Sequence, residues 1–163
     1  MKTEARGKVT FNLLHHKFIK AFNTLVMKHV LVFGTFDIVH NGHKYFLKEA
    51  KKYGNHLTVV IARDVNVKKQ KRRHPKNNEK IRLRNIKKLK IVDKAFLGER
   101  NITYNLLKKM NPDVICIGYD QKPSLSEARK ILEKMKINAV LKRIKKYKPE
   151  IYKTSLMLKR DVK

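Results

Sequence analysis

Three short runs in this chain, His29-Val-Leu-Val-Phe33, Leu57-Thr-Val-Val-Ile61 and Val114-Ile-Cys-Ile117, are apolar at almost every position. A strand with one face in water alternates apolar and polar residues, so unbroken runs of this kind belong to strands covered on both sides. Ala95-Phe-Leu97 and Ala139 to Ile144 add two weaker strands. Between them the apolar residues change to helical spacing. Phe46, Leu47, Ala50 and Tyr53 share one face before Gly54-Asn55, and Ile81, Ile86 and Leu89 share another in a helix that starts near Glu79. A further helix is expected over Ile102 to Met110, and Leu125, Ala128, Ile131, Leu132 and Met135 form the inner face of the next. Ser124 and Glu127 ahead of that face have the spacing of a capping box. Strands that alternate with helices predict an α/β fold: a doubly wound parallel sheet in a single domain, with helices on both faces.

The first 26 residues read differently. Leu14, Phe18, Ala21, Phe22 and Leu25 fall at helical spacing, without the apolar block of a signal peptide. Five basic residues and one acid suit a transit peptide, but the absence of serine there counts against it. Met27 stands directly before the first strong strand. Residues 1–26 are therefore expected to be an N-terminal extension, either helical or preceding a true start at Met27, and residues 27–163 the working domain. A final helix is expected to begin near Thr154.

Charge narrows the function without deciding it. Forty-one Lys and Arg against 13 Asp and Glu give a net charge of +28, while 42% apolar residues leave enough for a packed core. Such a chain attracts polyanions of any kind, so nucleic acid, a substrate with several phosphates and a generally lysine-rich surface all remain open. The excess is uneven: Lys68 to Lys90 holds twelve basic residues and one acid, Glu79, with no aromatic residue for base stacking. A single cysteine, Cys116, excludes an internal disulfide framework and a cysteine zinc cluster, and fits a reducing, cytoplasmic setting. No apolar run reaches the roughly 18 residues of a membrane span, so no membrane partner is expected. A monomer and a homodimer are equally compatible with the sequence.

In doubly wound sheets ligands bind beyond the carboxyl ends of the strands. The loop after the first strand reads Gly34-Thr35-Phe36-Asp37, then His40-Asn41-Gly42-His43 at the start of a helix. Gly34 permits a sharp turn close to a ligand, and Gly42 leaves room between the two histidines. A helix N-terminus offers unpaired N–H groups and the positive end of the helix dipole, both suited to phosphate. Residues three apart face the same way, so His40 and His43 are placed to converge on one oxyanion. Metal binding by the pair lacks a third ligand nearby. A chance surface pairing is the other reading, and the position between a buried strand and a helix argues against it.

Gly34-Thr-Phe-Asp-x-x-His-x-Gly-His43 resembles the motif of the cytidylyltransferase-like nucleotidyltransferase superfamily, and the likeness extends from about Lys28 to Lys159. It implies a Rossmann-like fold and transfer of a nucleotidyl group from a nucleoside triphosphate to a phosphate-bearing acceptor, with release of pyrophosphate. On that resemblance His40 and His43 act at the α-phosphate, and Gly34, Thr35, Phe36, Asn41 and Gly42 complete the nucleotide pocket. Lys68-Lys-Gln-Lys71-Arg-Arg resembles a mobile lysine-bearing loop, with Lys69 catalytic and Lys71 on the nucleotide, and Arg82 resembles a catalytic arginine at the start of the next helix. Gly118-Tyr-Asp-Gln121 and Arg143-Ile-Lys-Lys-Tyr147 are similar to the archaeal FAD synthase branch, which implies nucleotide contacts from Asp120 and Tyr147. Tyr152-Lys-Thr-Ser155 is similar to an Arg-Thr-Ser motif, with Lys153 in place of arginine, and implies contacts from Thr154 and Ser155.

The implied partners are ATP with FMN, or CTP with glycerol 3-phosphate or another phospho-alcohol, each triphosphate carrying Mg2+ or a similar divalent cation. A phosphate nucleophile is already anionic near neutral pH, which fits a sequence with no evident Ser-His-Asp set or carboxylate dyad. A reading of a different class is a basic nucleic-acid-binding protein on a degenerate transferase fold. The presence of Gly34, His40, Gly42 and His43 together argues for the enzyme.

Overall fold

The computed structural model describes residues 27–101, 104–148 and 150–152. The expected helix over residues 14–25, the final helix near Thr154, and Thr154 and Ser155 themselves lie outside them. Five strands, β1 (His29–Gly34), β2 (His56–Ile61), β3 (Lys94–Leu97), β4 (Val114–Ile117) and β5 (Val140–Arg143), form one sheet in the order β3-β2-β1-β4-β5. Every pairing is parallel, with Val30 of β1 opposite Leu57 of β2 on one side and Val114 of β4 on the other. The chain winds outward from β1 to β3, then returns to the far side of β1. The switch point therefore lies between the carboxyl ends of β1 and β4.

Burial follows the two-faced pattern that the apolar runs require. Val30 and Val32 of β1 pack with Leu47 and Ala50 of α1 (Asn41–Lys51) and with Ile86 of α3 (Glu79–Lys87). Leu31, between them in sequence, faces the other way, toward Leu107 of α4 (Asn105–Met110) and Ala128 and Leu132 of α5 (Leu125–Lys134). The Rossmann-like sheet thus carries helices on both faces. Ser124 and Glu127 complete the expected capping box: the Ser124 hydroxyl accepts the Glu127 N–H, and the Glu127 carboxylate accepts the Ser124 N–H. Two expected core residues sit at helix margins instead. Tyr53 lies beyond the end of α1, Leu125 is the first residue of α5, and each is 37% exposed.

One helix was not legible. Asp64–Lys71, expected as part of a basic loop, is a helix, α2. Its apolar residues do not recur at helical spacing, and only Asn66 and Val67 are buried. It is held at its ends. Lys68, Lys69 and Lys71 occupy the last turn, where the helix dipole favours cations. At the other end α2 and α3 cap each other: the Glu79 carboxylate accepts the Asp64 N–H at 2.8 Å, and the Asp64 carboxylate accepts the Glu79 N–H at 3.1 Å. The single acid of the basic stretch is therefore a structural cap, further tied to Arg63 at 3.2 Å.

Arg82 closes this network from within. Its side chain is fully buried. Nε donates to the Asn77 carbonyl, Nη1 to Thr35, and Nη2 to Ala62 and to the Asp64 carboxylate, at 2.6 to 3.0 Å. Those acceptors belong to the loops after β1 and β2, the turn before α3, and the start of α2. Arg82→Met leaves three carbonyls and a carboxylate without that partner and is expected to cost about 3 kcal/mol. Arg82→Lys should recover only part, since an ammonium lacks the planar fork. Urea unfolding of the three proteins measures both.

Candidate active site

β1 ends at Gly34, and the chain turns so tightly that a Cβ there would meet the Phe36 ring at 2.5 Å. Phe36 itself takes a left-handed backbone (φ 48°), uncommon for a bulky residue, and buries its ring in the core under His43. Asp37 follows, 2% exposed. Its carboxylate accepts the N–H groups of Lys76 and Asn77, both at 2.9 Å, and its carbonyl accepts the Asn77 amide at 2.7 Å. The loop after β1 is thereby pinned to the turn that precedes α3. Thr35 is half-buried, with its carbonyl held by Arg82.

His40 is the N-cap of α1, and its Nδ1 accepts the His43 N–H at 3.3 Å. The His43 Nδ1 lies 3.1 Å from the Ile38 carbonyl, which can only accept, so Nδ1 carries the proton. The two rings stack with centroids 3.9 Å apart and planes 20° from parallel. These bonds fix opposite tautomers for the neutral pair: His40 presents Nε2–H, while the His43 Nε2 is bare. Asn41 opens α1 and is exposed. Gly42 is tightly enclosed: a Cβ would lie 3.0 Å from the His40 ring and 3.1 Å from the Tyr152 carbonyl, so either would have to give way.

Electrostatics keep the pair uncharged. Burial lowers the His40 pKa. Burial, with the adjacent His40, pushes His43 down to about 3, and the Lys71 charge acts in the same direction. Lys71 is itself lowered, by desolvation first and by Arg73, against the opposing pull of Asp37 and Asp120. The structure thus brings Lys71, Asp120 and the histidine pair into one electrostatic neighbourhood. Lys69 is exposed on α2, and the segment expected as a mobile loop is helical through Lys71. Arg82, expected as a catalytic group, is neither at the surface nor turned to the site: its guanidinium is engaged with main-chain carbonyls and Asp64.

Across the switch point, Gln121 joins the diverging strand ends. Its amide oxygen accepts the Gly118 N–H at 2.7 Å, and its amide nitrogen donates to the Phe33 carbonyl at 3.0 Å. Arg143 of β5 fixes the same turn by donating to the carbonyls of Gly118, Gln121 and Pro123. Asp120 is exposed on this turn. Tyr147 lies beyond β5, 37% exposed and stacked on Tyr45 of α1. Asp37, Gln121 and Arg143 were quoted in motifs but not assigned a task. Tyr45 carried no signal in the sequence.

A doubly wound sheet with a paired-imidazole helix N-terminus beside its switch point defines a protein that handles phosphate groups. The cytidylyltransferase-like family profile matches residues 31–160, and the chain belongs to that family. An FAD synthase of Thermococcus sibiricus is 41% identical over 135 residues, covering 82% of this chain and 91% of the relative. An FAD synthase of Methanothermobacter thermautotrophicus is 41% identical over 138 residues, with the same coverage of each chain. Among solved structures, one described as a lipopolysaccharide core biosynthesis protein from Thermoplasma volcanium superposes with a TM-score of 0.71 at 39% identity. That match covers 75% of this chain and 99% of the other.

The depressed histidines make stability depend on pH. In the unfolded chain each imidazole titrates near the usual 6.5, whereas folded His43 resists protonation to about 3. The unfolded state therefore binds more protons as pH falls below about 6.5, and stability declines progressively toward pH 3. His40 and His29, also lowered, add to the same trend. Urea midpoints between pH 7.5 and 4 should fall, His43→Asn should flatten the decline, and added pyrophosphate should shift its onset to lower pH.

Proposed function

We propose that this chain is a cytosolic FMN adenylyltransferase, an FAD synthase that joins the adenylyl group of ATP to the phosphate of FMN. The observation that carries the transferase reading is the stacked, oppositely tautomeric histidine pair at the start of α1, beside the switch point. The choice of substrates is supported by the names of relatives that are 41% identical over most of both chains.

In the reaction a phosphate oxygen of FMN forms a bond to the α-phosphorus of ATP. The bond from that phosphorus to the bridging oxygen breaks, and pyrophosphate leaves with the electron pair. No proton has to be removed from the nucleophile, so the protein's task is alignment and stabilisation of charge. His40 donates through Nε2–H while neutral. His43 donates through Nε2 only after gaining a proton, which a phosphate beside the ring favours by opposing the burial that keeps the ring neutral. Lys71, whose charge already acts on His43, adds a positive charge near the pair. Asp120, Tyr147, Thr154 and Ser155 are taken as nucleotide contacts on the resemblance.

Among the described residues no group of three or more His, Cys, Asp and Glu side chains is placed to hold a metal ion. Asp37 has both carboxylate oxygens on backbone N–H groups. We infer that the divalent cation arrives as the counter-ion of the triphosphate and so belongs to the substrate.

Purified protein given ATP and FMN should yield FAD and pyrophosphate, and CTP with glycerol 3-phosphate should yield no nucleotidyl product. His43→Ala should lower kcat by roughly 10²–10³ with an unchanged far-UV spectrum. Product made only from CTP and a phospho-alcohol would reject the assignment. So would near-normal turnover in the variant.

A further inference from the structure

Beyond β5 the chain stays on the sheet only as far as Ile144, whose N–H donates to the Ile117 carbonyl at 2.9 Å. Lys145, Lys146, Tyr147 and Lys148 are exposed and belong to no helix or strand. A turn then brings Tyr152 back, with its N–H on the Lys148 carbonyl at 2.9 Å. The result is a column of near-parallel rings. Tyr45 of α1 stacks on Tyr147 at 4.6 Å and 18°, and Tyr147 lies 5.9 Å and 9° from Tyr152. Tyr152 lies 6.4 Å and 20° from His40, which stacks on His43. An independent observation shows how closely this segment approaches: the Tyr152 carbonyl lies 3.1 Å from where a Cβ on Gly42 would stand.

We infer that Tyr45 is a positioning residue: its ring holds Tyr147 and so seats the strap that carries Tyr147, Lys148 and Tyr152 over the histidine pair. Tyr45 is two residues beyond His43 on the same helix, so one rigid element carries both the phosphate-binding pair and the ring that receives the strap. Both tyrosine contacts fall within the usual 4.5–7 Å between centroids, and the 4.6 Å contact of Tyr45 with Tyr147 is the closer of the two. Hydrogen bonding does not anchor the exposed run from Lys145 to Tyr147 to the sheet edge among the bonds described. The stack on Tyr45 supplies what the ladder no longer provides. The role in catalysis rests on the proposed adenylyl transfer, while the seating of the strap does not.

The test uses Tyr45→Leu, which retains apolar volume against the core but not a flat ring, and Tyr45→Phe, which retains the ring. Trypsin cleavage after Lys145 or Lys146 in the folded protein should be roughly two- to tenfold faster in Tyr45→Leu and near normal in Tyr45→Phe. KM for ATP should rise by a similar factor in Tyr45→Leu with kcat little changed, and Tyr45→Phe should restore it. Equal cleavage rates in all three proteins would overturn the seating role. Faster cleavage with an unchanged KM would overturn the positioning role alone. If no FAD forms in the parent protein, the functional reading fails, and the cleavage rates still decide whether Tyr45 seats the strap.

Discussion

A guanidinium with no exposed surface, bonded to three carbonyls and one carboxylate, is the constraint around which this molecule is arranged. Parallel strands end with backbone groups that their own sheet does not satisfy, and at a switch point neighbouring strands diverge. Arg82 meets that problem on the β1–β2 side by gathering the loops after both strands onto one planar fork. Gln121 meets it on the β1–β4 side by linking Gly118 to Phe33. A buried charge is costly unless fully paired, so Arg82 also dictates where Asp64 must stand, and through it where α2 begins. The lysines at the end of α2 inherit their position from that chain of requirements.

The histidine pair draws on the same rigidity for a different purpose. Two imidazoles stacked at 3.9 Å cannot both be charged easily, and their burial makes even one charge unfavourable. The resting site is therefore a pair of neutral rings with fixed tautomers. On the proposed function, a phosphate bound beside the rings would reverse the balance by giving the imidazolium a partner. Proton uptake at His43 would then be coupled to the arrival of the anion, which is the part the proposed reaction assigns to it. Preorganised donors aimed at developing charge are the form of stabilisation that rigid sites provide best.

Much of this was legible in the sequence where the signal is local. Unbroken apolar runs gave the strands, helical spacing gave α1, α3 and α5, and Ser124 with Glu127 announced its cap. The Gly34 to His43 motif located the pair before any coordinates. What was not legible depends on contacts between distant segments. Nothing in Asp64–Lys71 marks a helix, because its stability comes from Glu79 fifteen residues away and from Arg82 beyond it. Arg82 had the composition of a surface or substrate-facing residue; only its burial shows that it faces backbone. Lys69 and Lys71 are indistinguishable in a basic run, and both stand in the last turn of α2; what marks Lys71 is that its charge acts on His43.

The charge of +28 takes on a narrower meaning once the fold is known. Of the twelve basic residues from Lys68 to Lys90, one is entirely interior, and the others lie on two helices, the turn between them and the turn after the second. A distributed positive field accelerates the approach of any polyanion and weakens as salt rises. ATP and FMN are both anions, so the field serves each without distinguishing them. Discrimination has to come from groups that are neutral until the ligand is seated, which neither attract at long range nor hold pyrophosphate by permanent charge. The histidine pair, kept neutral by burial, meets that description. On the proposed function, the basic surface governs encounter, and the uncharged pair within it governs chemistry.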